Sequence, residues 1–409
     1  MGLFSIFKEV AICPKSFLFY KDNSKWLYNQ IKCFFFNIFD YLLVNNKQLI
    51  HILMWKYIKL FDTHDEYEAY ITGSDKILPN VSYCKNINDV HYNPWTDPRV
   101  IAKFNVENVT ESVMLYGADF GGIASELFSK VEIDGEQISI SDLDDDGGYY
   151  TFETTGEHTV KYTLLDSEVI GEGAFFECSG LISINIPNSV TSIGDSAFYD
   201  CSSLTSITIP NSVTTIDGGA FFGCSGLTSM SVESGNTVYD SRNNCNAIIE
   251  TATNTLLYGC QNTIIPNSVT SIGERAFDNC IGLTSINIPS SVTSIGKSAF
   301  TYCSSLLSIE IPSGVTSIGS YTFQHCTSLE SITIPSSVTS IGNSAFIYCS
   351  GLNSITSLAI TAPTIQSNTF ASVKTGGTLY VPSGSTGYDV WMGTGDYYLG
   401  KYNWTKAEQ

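Results

Sequence analysis

The chain has 409 residues, 43% of them hydrophobic, which is room for two or three domains and too apolar for a disordered polymer. Acidic residues outnumber basic ones 40 to 20, for a formal charge of −20. A surface that negative repels phosphate backbones, and no basic run is present, so a nucleic-acid partner is excluded.

Residues 1–53 are aromatic-rich, with Cys33-Phe34-Phe35-Phe36 followed by Ile38-Phe39-Asp40-Tyr41-Leu42-Leu43. Lys8, Lys15, Lys21, Lys25, Lys32 and Asp40 cut every apolar run short of the roughly 18 residues a spanning helix needs, so membrane insertion is not expected. The basic-then-apolar layout of a secretory signal is missing. We read 1–53 as an extension upstream of a more ordinary start at Met54. Residues 54–98, with Pro79, Pro94 and Pro98, read as a leader and linker. Residues 99–166 read as a small β-sandwich-like domain. Its short β-rich runs are Val100–Phe104, Val131–Ile133, Tyr149–Phe152 and His158–Tyr162, separated by Gly, Asp and Asn. It carries much of the charge: residues 98–170 hold fifteen acidic and four basic side chains.

From 167 to 357 a 23-residue word repeats. Cys178, Cys201 and Cys224 are one period apart, as are Cys280, Cys303, Cys326 and Cys349. The word is C-x-x-L-x-x-I-x-I-P-x-x-V-T-x-I-G-x-x-A-F-x-x. A fixed period of this length predicts a mainly β solenoid of stacked coils. In the unit at Cys201, Leu204, Ile207, Ile209, Val213, Ile216, Ala220 and Phe221 should point inward. Pro210 ends the strand because it has no N–H for the next ladder. Ordering 23 residues costs about 1–2 kcal/mol each. Eight inward side chains at about 1.5–3 kcal/mol apiece cannot offset that, so stacking is compulsory. Stacked in one phase, the cysteines present parallel Cβ vectors, a poor geometry for disulfides, and read as small buried hydrophobes. Cys245 and Cys260 lie off this ladder and are open to pairing. Gly194, Gly273, Gly296, Gly319 and Gly342 suggest turns with positive φ, and Asp217 stands in their place in one unit. The unit at Cys224 carries extra residues. Cys245–Ile249 and Thr255–Tyr258 predict a β-hairpin, within an insertion at about 236–262, that projects from one coil. Residues 358–409, with a strand at Thr378–Val381 and bulky aromatics such as Trp391 and Trp404, read as a β cap over the last coil.

Polar residues alternate with the inward ones along the strand. They are Ser183 and Asn185, Ser206 and Thr208, Ser229 and Ser231, Ser285 and Asn287, Ser308 and Glu310, and Ser331 and Thr333. They form a stripe with two readings: a solvated sheet face, or a recognition surface. About seven coils at ~4.8 Å, with ~13 Å of strand each, expose roughly 400–450 Å². A standard interface buries about 800 Å² per partner, so the stripe would need help from the hairpin or from a repetitive partner.

Chemistry-bearing motifs are sparse. Asp142, Asp144, Asp146 and Glu153 satisfy the calcium-loop spacing, but strands rather than helices flank them, and an acidic turn without an ion is expected. His51, His64, His91, His158 and His325 are scattered, and His325 reads as a surface residue. Glu310 and Glu330 occupy different repeat positions, so no carboxylate pair is indicated. With no nucleophile elbow or phosphate loop, neither a cofactor nor an enzyme is expected.

The words Ile-Pro-Asn-Ser-Val-Thr-Ser-Ile-Gly (186–194) and Cys-Ser-Ser-Leu-Thr-Ser-Ile-Thr-Ile-Pro (201–210) resemble the BspA-like, or Treponema-type, leucine-rich repeats. The resemblance implies a right-handed curved solenoid on a surface-exposed or secreted bacterial protein. It also implies adhesion to host or bacterial surface proteins or glycans, by a monomeric solenoid. The alternative carried forward is a structural or assembly protein, possibly associated with a phage virion.

Overall fold

The computed structural model describes residues 99–117, 127–140, 143 and 148–409, together with the backbone of Leu18–Tyr20 and Lys59–Phe61. Two compact units divide the chain, Met1–Asn93 and Pro94–Gln409. In the first, Leu18–Tyr20 pairs in parallel with Lys59–Phe61. The rest of the 1–53 extension and of the leader, like Asp142, Asp144 and Asp146 of the acidic turn, lies outside the described residues.

The second unit is a β-solenoid. On its strand wall Leu181–Asn185, Ser206–Ile209 and Ser229–Val232 run parallel. A second set follows: Ser285–Ile286, Ser308–Glu310, Ser331–Ile334, Ser354–Ser357, Thr378–Val381 and Thr405–Glu408. The opposite wall is made of two-residue strands such as Ser192–Ile193 and Ser317–Ile318. Register follows the sequence period, with Ser206 opposite Ser229 and Ser308 opposite Ser331. Like residues therefore meet like. Phe175, Phe198 and Phe221 stack at 5.3 Å with ring planes 5° and 2° apart. Phe277, Phe300, Phe323, Phe346 and Phe370 stack at 5.1–5.7 Å.

All nine described cysteines are free and buried, Cys245 and Cys260 included. They do more than fill space. The thiols of Cys201, Cys224, Cys303, Cys326 and Cys349 each donate to the carbonyl of the phenylalanine 26 residues earlier, at 3.0–3.2 Å. The ladder thus ties each coil to the previous one, and burial pushes the thiol pKa values of Cys201, Cys303 and Cys326 well up.

Two expectations need correction. Gly194, Gly296 and Gly342 do not have positive φ, and neither does Asp217. A Cβ at these glycines would lie 2.7, 2.6 and 2.5 Å from the backbone nitrogens of Glu172, Glu274 and Ser320, so close approach of adjacent coils is what requires glycine. Positive φ falls elsewhere, on the residue before each cysteine of the 23-residue ladder, including Asp200, Asn279, Tyr302, His325 and Tyr348. The hairpin, in turn, forms between Ala247–Glu250 and Thr255–Gly259 but does not project. Ala247, Ile248, Ile249 and Leu256 are fully buried. Ala247, Ile249 and Leu256 join the core of the later coils, while Ile248 and Tyr258 join the core of the earlier ones. Alternation along Ala247, Ile248 and Ile249, with the register shift that sets Leu256 and Tyr258 on opposite sides, lets the hairpin act as a partition with a core on both faces.

At both ends the solenoid continues past the repeat. Val100–Val106, Phe128–Ile133, Glu136–Ile138 and Gly156–Leu164 form antiparallel pairs, and Val100–Val106 also pairs with Leu181–Asn185. These strands extend the strand wall, and their core is shared with the first coils. At the other end, Trp391 and Trp404 are buried, with their indole N–H groups donating to Pro363 and Lys374 carbonyls at 3.0 and 2.7 Å. Thr405–Glu408, which no repeat motif marks, adds one more parallel strand.

Candidate functional site

The repeat carries several Ser and Thr columns, and most are used internally. Thr205 and Thr228 donate to backbone carbonyls of the preceding coil, both at 3.1 Å. Ser212, Ser291 and Ser337 donate to Val190, Val269 and Val315 carbonyls at 2.6–2.7 Å. On the opposite wall Thr214, Thr293 and Thr339 each donate to the carbonyl of the threonine 23 residues earlier. These hydroxyls are part of the coil-to-coil adhesive.

The strand stripe differs. Asn185, Ser206, Thr208, Ser285, Asn287, Ser308, Glu310, Ser331 and Thr333 are exposed, while Ser183, Ser229 and Ser231 are half-buried. Thr208 and Ser231 pair with each other at 2.9 Å, and Ser229 donates to Asn246 at 3.3 Å. Among the described residues, Ser206, Ser285, Asn287, Ser308, Ser331 and Thr333 have no side-chain partner. Register extends the column through Ser354 and Thr356, one period beyond Ser331 and Thr333, and on through Thr378, Tyr380 and Thr405, which the 23-residue period does not mark. It also runs backward: Ser183 faces Lys103, and Lys103 faces Thr159.

Register extends the face within each sheet, but the seven- and six-stranded sheets are not hydrogen-bonded to each other. At ~4.8 Å and ~13 Å per strand they present roughly 440 and 370 Å², so a partner must span both to meet about 800 Å², one partner's share of a standard interface. The cap end is charged where the stripe is neutral. Arg99 bridges Glu132 at 2.8 Å, Lys130 bridges the same carboxylate, and Lys103 meets Glu157 at 2.6 Å. The Lys130 hydrogen bond, outweighing partial burial and aided by Arg99, holds the Glu132 pKa below its usual value. Nearby, His158 is buried, with Nδ1 2.7 Å from Asp134 Oδ2 and Nε2 2.9 Å from the Thr154 carbonyl. Burial opposes the imidazolium, but acceptors on both nitrogens win and raise the His158 pKa.

Two aromatic features were not singled out from the sequence. Tyr302, His325 and Tyr348 stack at 4.4 and 4.5 Å on the surface, all with φ near +60°. Their shared position just before the cysteine was the available signal. The second is a cleft of about 550 Å³ beside the hairpin, lined by Tyr199, Phe222, Tyr258 and Arg275 among others. No motif announces it, because it exists only where the period fails. Among the described residues no three His, Cys, Asp or Glu side chains are grouped to hold a metal ion, and no helix is long and apolar enough to cross a membrane.

Residues 148–257 and 254–375 match the model of the BspA type leucine rich repeat region, in six copies. The match spans more than half of the chain, which therefore belongs to that family of bacterial repeat proteins. Among solved structures, a leucine rich cell surface protein from Faecalibacterium prausnitzii is 34% identical, with a TM-score of 0.43. The alignment covers 48% of this chain and 53% of that one, so this chain spans about half of its length. A leucine rich repeat protein of T. pallidum is 26% identical over 45% of this chain and 70% of its own, with a TM-score of 0.30. One from Eubacterium ventriosum is 24% identical over 53% and 64%, with a TM-score of 0.33. No curated protein matches.

Proposed function

We propose that this is a non-catalytic binding protein of the cell surface, whose strand face holds an extended protein or glycan partner. The observation that carries this reading is the division of labour among the hydroxyls. Neighbouring Ser and Thr columns are spent on coil-to-coil bonds, whereas Ser206 on one sheet, and Ser285, Ser308 and Ser331 in register on the next, are left to solvent. A row of short polar groups repeated at coil spacing suits a partner with its own repeat, such as an extended strand or a linear glycan. Family membership and the cell-surface relative support the same reading.

The test is an array of extracellular-matrix proteins and glycans, probed with wild type and with Ser308→Arg/Ser331→Arg. Both sites are exposed, so the fold should persist. Loss of at least tenfold in affinity for the array hits is expected. Unchanged binding by the variant, or no hits with wild type, would defeat the reading. End-to-end assembly is the weaker alternative, since the last strand places Lys406 and Glu408 on its open edge, a common guard against edge pairing.

A further inference from the structure

In the regular stack each turn donates backbone hydrogen bonds to the next. Phe198 donates to Ala220 and Asp200 to Phe222, both at 2.8 Å, and Phe277 donates to Ala299 at 2.8 Å. Among the described residues no backbone hydrogen bond joins the turn at 217–223 to the turn at 273–279, the next in line. The hairpin intervenes, and Gly259 donates to Ala276 instead. Side chains take over the lost contacts. Tyr239 Oη accepts from the Ile216 N–H at 3.1 Å, Tyr258 donates to the Asp217 carbonyl at 3.0 Å, and Asn236 donates to the Pro210 and Val213 carbonyls. The result is a missing tooth in the row of turns, and this gap is the 550 Å³ cleft.

Its surfaces are chemically specific. Tyr199 and Phe222 line one side and Tyr258 closes the floor, 6.0 Å from Phe222 between ring centroids. The rim carries the exposed carboxylates of Asp195 and Glu274. Asp200 and Asp278 stand nearby, and burial pushes Asp278 up to about 6 against the opposing charge of Arg275. Arg275 is the cation that lines the cleft, and it is committed to the Phe222 ring at 5.1 Å; Lys297 stands behind the rim, 3.6 Å from the Glu274 carboxylate. Aromatic faces suit the C–H faces of a pyranose, and carboxylates accept hydrogen bonds from vicinal hydroxyls. The excess of carboxylates over guanidinium repels anions. The volume lies within the range of small-ligand sites.

We propose that this notch is a binding site for one or two rings of a neutral sugar, with the Tyr199 ring as the stacking platform, Phe222 held under Arg275 as its wall, and Asp195 and Glu274 as hydroxyl acceptors. It lies on the turn column rather than the strand face and does not depend on the function proposed above.

The test is saturation-transfer NMR on the full chain with lactose, maltose and cellobiose, and with 3′-sialyllactose as the anionic counterpart. At least one neutral disaccharide should give saturation at its ring protons at millimolar concentration, and sialyllactose should give none. Tyr199→Ala should abolish the signal. Because that change can disturb the turn, Asp195→Asn/Glu274→Gln, both at exposed positions, should weaken binding at least fivefold with an unchanged melting temperature. Absence of signal from all three neutral sugars, equal binding of sialyllactose, or full binding by both variants would overturn the proposal. So would displacement of a bound sugar-sized probe only by a Lys-rich peptide.

Discussion

The stack from Ser271 to Ser357 and the break between Asp217 and Arg275 are built from the same repeat word, yet they present opposite kinds of surface. In the stack every coil finds an identical neighbour, so rings, thiols, hydroxyls and backbone groups all bond along the axis. Nothing is left concave. At the break the hairpin takes one neighbour away, side chains substitute for backbone, and a cleft opens. Repetition produces area, and its interruption produces shape.

Matched substitutions can sharpen this contrast. The largest effect is expected at Phe300, fully buried and stacked between Phe277 and Phe323. Phe300→Ala should cost about 3–5 kcal/mol in chemical denaturation. Tyr258→Phe at the break removes only a hydrogen bond, about 1 kcal/mol. Equal losses would deny that the two regions differ.

Glycine offers a cleaner pair. A Cβ at Gly342 would sit 2.5 Å from the Ser320 nitrogen, whereas at Gly218 the nearest atom is the Asp195 carboxylate oxygen at 3.8 Å. Gly342→Ala should destabilise by about 1–3 kcal/mol. Gly218→Ala should stay within about 0.5 kcal/mol of wild type. Melting temperatures of the two variants decide it.

The antiparallel strands before the first coil respond to pH through His158 and Asp134. The folded-state pKa of His158 is raised, so its stabilisation is fully present below the unfolded value and is lost as pH rises through the folded one. Asp134 is lowered, despite partial burial, by the His158 bond, and its share is lost only at acid pH. Wild type should therefore lose stability as pH rises from about 6 to 8, a slope absent in His158→Gln. A parallel slope in both proteins would refute this.

The smallest effect belongs to the exposed stack. Tyr302 pays for a left-handed backbone, about 1–2 kcal/mol, and recovers about 0.5–1.5 kcal/mol by stacking on His325. Tyr302→Asn should shift stability by less than about 1 kcal/mol, since Asn279 already occupies the equivalent position.

Much of this was legible from the period alone. The inward phase of Leu204, Ile207, Ile209 and Val213, the unpaired cysteine ladder and the alternating strand stripe all follow from identical residues recurring at one phase. A period cannot report what happens at its edges. The antiparallel strands before Cys178 join the solenoid sheet through Val100–Val106, and that pairing has no repeated word to mark it. The glycines were recognisable as special, but not the reason, since close approach between coils is invisible within one coil. The hairpin strands were visible as apolar runs. Their burial on both faces was not, nor was the cleft they leave.

Native-state hydrogen exchange of the intact protein tests the contrast most directly. If the hairpin is a buried partition, amides in 247–259 should exchange as slowly as those of Ser331–Ile334 in the regular stack. Exchange at the rate of an exposed loop would mean that the hairpin stands outside the core, and the account of the break and its cleft would fail.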